Sequence, residues 1–578
     1  MLASRAHIGD RKRAMQSDSS SPSRRDVLKG AAAFAAAATP LASSALTSMS
    51  ADSFLNLHRS PDVVRAFGPN HAEIALNSAP GGWEAEGVRI QYSADPKGSV
   101  ARLESKGKVS LIQLRWKGDL HAIKRVLGDH WERSYGDLEW RGQVAGRTMP
   151  WYFLAHDGTA THSYGVAIGP KAFCFWNMDA EGISLWLDVR SGGAPVELGD
   201  RVLEVAKVVT RPGRGGESPF QAATAFCHLM SPSPRLPSKP VYGTNDWNYA
   251  YGNNSRDLIE KVSGLVSELS PSNDNRPYSV IDEGWAMGPY NNSFGHGPWE
   301  GNPRFGDMGT VATSLKKIGV RPGIWFRPLT PLPDTPESWR LSRDKSYLDP
   351  TIPDVLEHVK THIRRFADWG YEMVKHDFST WDVTGRWGFE MGPSPTHDGW
   401  HLHDRSKTTA EALTGLYQAL RDAAGTVSLI GCNTVGHLAA GFHELQRTGD
   451  DTSGRSWNRN RRMGVNTLAF RAAQHRSFFE VDPDIVSITQ QIPWFLVEQW
   501  LRLVSESGAA LFVAMDPSIV EEKHRIALKK ALTIAATTQK IGEPLDWLET
   551  DCPRRWKLRD KTVEFEWMGQ NGAWPFGD

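Results

Sequence analysis

The stretch Tyr371-Glu-Met-Val-Lys-His-Asp377 decides the fold, because it has the form of a short strand that ends in polar side chains. Residues two apart on a strand point to the same face, so Lys375 and Asp377 project side by side where the strand ends. A nearby cation favours the ionised form of a carboxylate. The pair is therefore either an ordinary surface ion pair or a carboxylate that is kept ionised for chemistry.

Seven further segments have the same short apolar form, and helix-like segments alternate with them. The eight predicted strands span residues 241–247, 278–283, 321–327, 371–377, 427–433, 443–449, 476–481 and 509–514, and predicted helices include 257–269, 355–369, 408–424 and 494–507. Eight strand–helix units predict an α/β fold, a (β/α)8 TIM barrel over residues 241–545. Residues 434–442 leave room for only a short helix between the fifth and sixth strands.

A doubly wound open sheet is the alternative fold. It would need a glycine-rich phosphate turn after its first strand, and Asn248-Tyr-Ala-Tyr-Gly252 is not one.

The chain before the barrel is rich in predicted strands. Segments such as Val109-Ser-Leu-Ile-Gln-Leu-Arg-Trp116 have strand length and are separated by Gly and Pro clusters, so residues 52–235 predict an N-terminal β-sandwich domain. Residues 231–240 contain four prolines and predict a stiff linker. Residues 546–578 are predicted to be a short C-terminal extension beyond the barrel.

The N-terminus has the features of an export signal. Ser23-Arg-Arg-Asp-Val-Leu-Lys29 precedes an alanine-rich run over residues 30–46, which resembles a twin-arginine signal peptide spanning residues 1–47. The run falls short of the roughly 20 strongly apolar residues that a membrane helix needs. The sequence therefore predicts a periplasmic or secreted protein, with no membrane span in the mature chain.

The composition excludes some partners and permits others. Lys and Arg together number 66, as do Asp and Glu, so charge gives no reason to expect nucleic acid or an anionic membrane as a partner. The 23 tryptophans fit a carbohydrate site, and they fit a large core equally well. Four widely spread cysteines form no CxxC pair. The oligomeric state is not predicted.

In a TIM barrel the chemistry belongs at the C-terminal ends of the strands. The predicted strand ends hold carboxylates, cations and tryptophans together with a cysteine and an asparagine: Asp246, Trp247, Asp282, Glu283, Trp325, Arg327, Lys375, Asp377, Cys432, Asn433, Arg447, Asp451, Asp482 and Asp484. Together they predict a concave polar site with aromatic walls.

Two carboxylates that flank a glycosidic bond are the usual means of hydrolysing it. One must be ionised, and Asp377 beside Lys375 is the candidate. The other must hold a proton, and Asp451 is the candidate, with its neighbour Asp450 as a rival. Repulsion between adjacent carboxylates would help one of them to keep a proton. Asp450-Asp-Thr-Ser-Gly454 is equally typical of a turn or a helix cap.

Six motifs resemble the retaining α-galactosidases of glycoside hydrolase families 27 and 36, the melibiase-like enzymes of clan D. In chain order they are Ile281-Asp-Glu-Gly-Trp285, Gly323-Ile-Trp325, Lys375-His-Asp377, Cys432-Asn433, Arg447-Thr-Gly-Asp-Asp451 and Asp482-Pro-Asp484. The resemblance covers roughly residues 240–545. It implies that Asp377 is the nucleophile and Asp451 the general acid and base. It also implies sugar binding by Trp247, Asp282, Glu283, Trp325, Lys375, Cys432, Arg447 and Asp484, with no cofactor and no metal.

Two positions, Glu283 and Thr434, depart from the family pattern. The family usually has a second aspartate where this chain has Glu283. The longer side chain shifts contacts at the base of the pocket, and Thr434 stands where a tryptophan often follows Cys-Asn. The resemblance implies cleavage of terminal α-galactoside-like bonds in oligo- or polysaccharides by double displacement. An α-N-acetylgalactosaminidase, a β-L-arabinopyranosidase and an α-glucoside-like ligand remain open.

Other function classes are less consistent with the sequence. The segment His397-Asp-Gly-Trp-His-Leu-His-Asp404 could suggest a metal site, but Gly399 disfavours the helix that an i, i+4 histidine pair needs. Residues 378–406 are interpreted as a substrate-facing lid or wall. A cofactor-loaded oxidoreductase would need a Rossmann, haem or iron–sulfur motif, and the sequence has none. A non-catalytic carbohydrate-binding barrel is a further alternative.

Overall fold

The computed structural model describes residues 53–85, 87–288, 297–569 and 572–574, so the predicted signal peptide lies outside the described residues. The N-terminal domain is built from short antiparallel strands. They are β1 Val63–Phe67, β2 Glu73–Ile74, β3 Asn77–Ala79, β4 Gly82–Ala85, β5 Val88–Asp95, β6 Gly98–Ser105, β7 Leu111–Lys117, β8 Arg125–Gly128, β9 Met149–Pro150, β10 Tyr152–His156, β11 Thr161–Val166, β12 Phe173–Asp179, β13 Gly182–Asp188 and β14 Leu203–Arg211.

These strands form two sheets that pack face to face. One has the order β2-β1-β7-β13-β12-β9 and the other β3-β4-β5-β6-β14-β11-β10-β8. Alternation along β7 buries Ile112, Leu114 and Trp116 on one face, as a half-buried strand requires. Phe153 of β10 contacts Trp176 of β12 in the other sheet, with ring centroids 5.8 Å apart. The core of the predicted β-rich domain therefore lies between the sheets.

The second half of the chain forms the barrel. Its strands are β15 Tyr242–Asn245, β16 Tyr278–Ile281, β17 Arg321–Phe326, β18 Met373–His376, β19 Ser428–Gly431, β20 Leu445–Arg447, β21 Glu480–Asp482, β22 Ile485–Ile488 and β23 Leu511–Met515. The helices are α1 Pro219–Met230, which precedes the barrel, and then α2 Trp247–Ala250, α3 Arg256–Leu269, α4 Met308–Ile318, α5 Pro353–Asp368, α6 Ser379–Thr384, α7 Gly388–Met391, α8 Thr409–Ala424, α9 Gly436–Ala439, α10 Trp457–Arg459, α11 Thr467–Arg471, α12 Trp494–Ser507 and α13 Glu522–Ala535.

All neighbouring barrel strands are parallel, in the order β21-β20-β19-β18-β17-β16-β15-β23-β22. The predicted (β/α)8 barrel behind a β-rich N-terminal domain is confirmed. Four predicted helices correspond to α3, α5, α8 and α12, and α9 is the short helix expected between the fifth and sixth strands. Helix α5 shows why the helical pattern is recognisable: Val355, Val359, Ile363 and Phe366 recur every three or four residues and are fully buried.

The predicted seventh strand, residues 476–481, was wrong in its bounds. Two short strands, β21 and β22, occupy the place of one strand in the sheet. β21 pairs with β20, and β22 pairs with β23. Pro483 between them has no N–H to donate, and Asp484 has a φ of 72°. The N–H of Ala510 donates to the carbonyl of Val481 at 3.0 Å and closes the barrel across this break. Arg476, at a φ of 57°, lies in a turn instead of a strand.

The predicted first strand also ends earlier than residue 247, because Trp247 begins α2. Near the C-terminus, β24 Glu543–Pro544, β25 Arg555–Leu558 and β26 Lys561–Glu564 form a small antiparallel sheet. Within the described ranges, no helix has the length and apolarity to cross a bilayer.

A buried glutamate at the start of the seventh strand makes the stability of the barrel depend on pH. Glu480 accepts the N–H of Val241 at 3.0 Å, and burial raises the pKa of its carboxyl to about 7. The unfolded chain loses this proton at a lower pH than the folded protein does. Stability is therefore lost as the pH rises from the ordinary glutamate range through about 7.

Glu480→Gln should remove this loss, because the amide stays neutral and its oxygen still accepts the Val241 N–H. We expect the free energy of unfolding of the variant, relative to that of the wild type, to be higher at about pH 8 than at about pH 5, by up to about 3 kcal/mol. Thermal unfolding at both pH values measures this. Glu498→Gln, which removes an exposed charge on α12, is the control. An equal offset for Glu480→Gln at both pH values would contradict the expectation.

Candidate active site

A cavity of about 300 Å³ opens at the carboxyl ends of the barrel strands. That volume is at the lower end of the range for small-molecule sites, about 300–1,000 Å³. The lining residues are Arg133, Tyr135, Trp247, Asp282, Glu283, Trp325, Lys375, Asp377, Phe378, Trp387, Phe389, Asp450 and Asp451. The cavity thus brings together most of the site residues that the sequence predicts.

Asp377 lies at the end of β18 in a cradle of hydrogen-bond donors. One carboxylate oxygen accepts the backbone N–H groups of Phe378 at 2.8 Å and Asn433 at 2.9 Å. The other accepts the indole N–H of Trp325 at 3.3 Å. Burial raises the pKa of Asp377, but the charges of Arg133 and Lys375 outweigh burial and hold the pKa below its ordinary value. Asp377 is therefore an ionised carboxylate that faces the cavity.

Lys375 has a different direct partner from the one that strand spacing suggests. Its Nζ lies 2.6 Å from Oδ2 of Asp282, at the end of β16, and both side chains are buried. Burial lowers the pKa of Lys375, but Asp282 outweighs it and raises that pKa. The predicted influence on Asp377 remains as a weaker charge interaction. The same Asp282 oxygen accepts the amide of Asn245 at 2.7 Å, so the contact links the ends of β15, β16 and β18.

Three predicted site residues lie behind the cavity wall. Arg447 is 1% exposed, and its two terminal nitrogens lie 3.1 Å from Asp451 and 3.0 Å from Asp484. The thiol of Cys432 accepts a hydrogen bond from Arg447 at 3.4 Å. Asp484 also accepts the N–H of Thr452 at 2.6 Å. None of Arg447, Cys432 and Asp484 belongs to the lining, so in this structure they support Asp451 from behind.

The aspartate pair at the end of β20 is surrounded by arginines. Asp450 lies 2.8 Å from Arg133 and 2.7 Å from Arg459, and Asp451 lies 3.6 Å from Arg133. Burial raises the pKa of Asp451, but Arg447 and Arg133 lead the cations that hold it well below its ordinary value. Repulsion from Asp450 therefore does not keep a proton on Asp451, contrary to the expectation from the sequence, because these arginines balance both charges.

The carboxyl of Asp246, unlike those of Asp377 and Asp451, has a pKa above its ordinary value. Burial and the charge of Asp282 raise the pKa of Asp246 to about 7. Asp246 accepts the backbone N–H of Asp282 at 2.8 Å and the amide of Asn254 at 2.8 Å. It thereby fixes the turn that presents Asp282 and Glu283 to the cavity.

Aromatic side chains form the outer wall. Phe378, Trp387 and Phe389 belong to residues 378–406, the segment after β18 that is predicted to be a substrate-facing lid or wall. Trp387 stacks on Trp381 with ring centroids 4.7 Å apart, whereas Phe389 is 59% exposed. Part of the predicted wall therefore faces the cavity. The histidines of residues 397–403 do not line it, and no metal-type cluster of His, Cys, Asp or Glu occurs among the described residues.

Arg133 and Tyr135 line the cavity, although no sequence motif indicates them. They come from the N-terminal domain, between β8 and β9, and Glu132 beside them accepts the backbone N–H of Gly388 at 2.9 Å. Trp131-Glu-Arg-Ser-Tyr135 has the composition of an ordinary loop. No local pattern links it to a barrel strand that is more than 300 residues away in the chain.

No family model matches the chain, and no curated protein matches it in sequence. Solved structures do match. The α-galactosidase TtGalA of Thermus thermophilus aligns with a TM-score of 0.55 at 17% identity, over 87% of this chain and 99% of that chain. The family 36 α-galactosidase AgaA of Geobacillus stearothermophilus aligns with a TM-score of 0.54 at 12% identity, over 86% and 79%. Its AgaB gives 0.51 at 13%, over 82% and 74%.

The chain has the fold of these α-galactosidases. The resemblance that the sequence motifs suggest is therefore confirmed at the level of the fold, from the N-terminal β-rich domain through the barrel.

The buried pair Lys375–Asp282 should couple strongly in stability. Asp282→Asn leaves a buried ammonium without its carboxylate, at an expected cost of about 3–5 kcal/mol. Adding Lys375→Met to Asp282→Asn should restore part of that loss, because no unpaired charge is then buried. Urea unfolding of the wild type, both single variants and the double variant measures the coupling. Strictly additive losses would contradict the pairing.

Proposed function

We propose that the protein is a retaining glycoside hydrolase that cleaves terminal α-galactoside-like bonds in oligo- or polysaccharides. The observation that carries the proposal is the position of Asp377, an ionised carboxylate with three N–H donors around it, facing one cavity with Asp451. Two carboxyl groups on strand ends are the equipment that glycosidic bond cleavage by double displacement needs.

In the first step of the proposed mechanism, Asp377 attacks the anomeric carbon and forms a covalent glycosyl-enzyme. Asp451 gives a proton to the departing glycosidic oxygen. In the second step Asp451 accepts a proton from water, which attacks the same carbon and releases Asp377. Two inversions at one carbon retain the anomeric configuration.

Other lining residues support recognition of a sugar. Asp282 lies 2.6 Å from Lys375, and its oxygens are hydrogen-bond acceptors in the cavity lining. Trp247 and Trp325 present aromatic surface to the same space. Apolar ring faces with a few convergent polar groups are what a hydroxyl-rich ring requires. Among the matched structures, TtGalA is in complex with p-nitrophenyl α-D-galactopyranoside and with stachyose, and an AgaA variant is in complex with raffinose.

Asp377→Asn should abolish hydrolysis of p-nitrophenyl α-D-galactopyranoside, with a loss in kcat on the order of 10⁴-fold or more, and preserve sugar binding. The neutral amide cannot form the covalent intermediate. Steady-state kinetics and calorimetric binding of galactose test the two parts. Undiminished turnover would exclude Asp377 as the nucleophile. A wild-type protein that binds galactose without hydrolysing any glycoside would instead identify a non-catalytic barrel.

The same assay decides between the two aspartates at the end of β20. Asp451→Ala should lose turnover most for substrates with poor leaving groups, because these depend on the acid, whereas Asp450→Asn should affect good and poor leaving groups alike. The reverse pattern would assign the acid role to Asp450.

A β-L-arabinopyranosidase is a second candidate, and Glu283 favours it. The β-L-arabinopyranose ring has the geometry of galactose but lacks C6. Glu283 lines the cavity next to Asp282, and its side chain is one methylene longer than the aspartate usual at this position. A longer side chain leaves less room for a hydroxymethyl group.

Glu283→Asp tests this second candidate. The ratio of kcat/KM for the α-galactoside to that for the β-L-arabinopyranoside should rise by about 10- to 200-fold, the usual value of one methylene in a pocket. Paired measurements with the two nitrophenyl substrates give the ratio. An unchanged ratio would show that Glu283 does not select between them.

A further inference from the structure

A segment of the N-terminal domain is built into the mouth of the barrel. Residues 129–137, here called the docking segment, follow β8 and leave the sandwich. The N–H of Ser134 donates to the carbonyl of Thr448 at 3.0 Å, and the N–H of Asp450 donates to the carbonyl of Ser134 at 2.9 Å. Ser134 and Gly449 thus form a parallel bridge, which extends the exit of β20 with backbone from the other domain.

The docking segment is also anchored by the residues that precede this bridge. Asp129 lies 2.8 Å from Arg471 of α11, and both side chains are buried. The indole of Trp131 donates to the carbonyl of Gly392 at 2.8 Å, on the loop after β18. Glu132 accepts the side-chain amide of Asn433 at the end of β19. Contacts to three parts of the barrel rim hold the segment in place.

Arg133 is the side chain that this anchoring presents to the cavity. It is 7% exposed, and one terminal nitrogen lies 2.8 Å from Asp450. The other lies 3.6 Å from Asp451 and 3.5 Å from the thiol of Cys432. A guanidinium offers donors in a rigid fork, so one side chain can hold both aspartates at once.

We propose that Arg133 is a positioning residue that holds Asp450 and Asp451 for acid–base catalysis, so that the N-terminal domain completes the active site. This inference rests on the proposed hydrolase function and deepens it. Arg133 has no part in the motifs of the barrel strands, and its role follows from the docking segment alone.

The charged groups around Asp450 and Asp451 determine how loss of Arg133 changes the pKa values of the site. Facing the aspartate pair are Arg447 on β20, Arg459 on α10, Lys375 and Asp377 at the end of β18, Asp484 before β22, Cys432 after β19, and Glu132 and Tyr135 on the docking segment. Arg133 is the foremost cation that lowers the pKa of Asp377 and the second, after Arg447, for Asp451. Neutralising it raises the pKa of both carboxyls.

The test compares Arg133→Gln and Arg133→Lys with the control Arg190→Gln. Arg190 belongs to the same domain, is 6% exposed, and contacts Asp398 on the loop after β18 at 2.7 Å. It does not line the catalytic cavity. The pH dependence of kcat/KM with p-nitrophenyl α-D-galactopyranoside is measured for all four proteins, and thermal unfolding confirms that each is folded.

For Arg133→Gln we expect kcat/KM to fall by about 100-fold through misplacement of the acid. Both limbs of the pH profile should move to higher pH by about 1 unit. Arg133→Lys should keep the limbs in place, because the charge remains, and lose part of the rate, because an ammonium cannot hold two carboxylates in a fork. Arg190→Gln should leave both limbs where the wild type has them.

A folded Arg133→Gln with unmoved limbs and an active wild type would overturn this inference alone. If Arg133→Gln does not fold, Arg133→Lys decides: a reduced rate with unmoved limbs supports the role, and wild-type kinetics overturn it. A wild type that hydrolyses no glycoside overturns the proposed function and this inference with it.

Discussion

Pairing of buried cations with buried carboxylates is the constraint on which the mouth of the barrel depends. Lys375 lies 2.6 Å from Asp282, and Arg447 lies 3.0 Å from Asp484. A buried charge without its partner is strongly destabilising. Since the members of each pair belong to different strands, only the closed barrel satisfies them. Lys375 and Asp282 also line the cavity, so the pairing that links the barrel strands also shapes the site.

The N-terminal domain takes part in this balance, which explains why the two domains form a single unit in the described part of the chain. Ser134 and Thr448 are 314 residues apart in sequence and share a hydrogen bond of 3.0 Å between backbone groups. Without the docking segment, the carboxylate of Asp450 would keep Arg459 as its one salt-bridge partner among the described residues, and the carboxylate of Asp451 would keep Arg447. A barrel cut from the chain would therefore expose an acidic rim.

Local patterns in the sequence predicted the fold well, and long-range contacts explain what they missed. Apolar periodicity identified α5 and the order of the strands, because it reflects burial within each element. It failed at the seventh strand, where Pro483 and the positive φ of Asp484 split one strand into two. Strand spacing placed Lys375 and Asp377 on one face, yet could not reveal that Asp282 is the nearer partner. The role of Arg133 could not be predicted, because the sequence of a loop does not indicate which distant residues the loop contacts.

The charge balance also constrains the proposed reaction. Without a sugar, Asp377 and Asp451 are both held ionised, although the first step needs a proton on Asp451. A sugar in the cavity expels water, and this loss of solvation raises the pKa of the carboxyls. In the glycosyl-enzyme, Asp377 is an uncharged ester, so its repulsion no longer acts on Asp451. The cations then favour the ionised form that Asp451 needs as a base in the second step. The positive charges around Asp451 thus oppose its protonation before the first step and favour its role as a base in the second step.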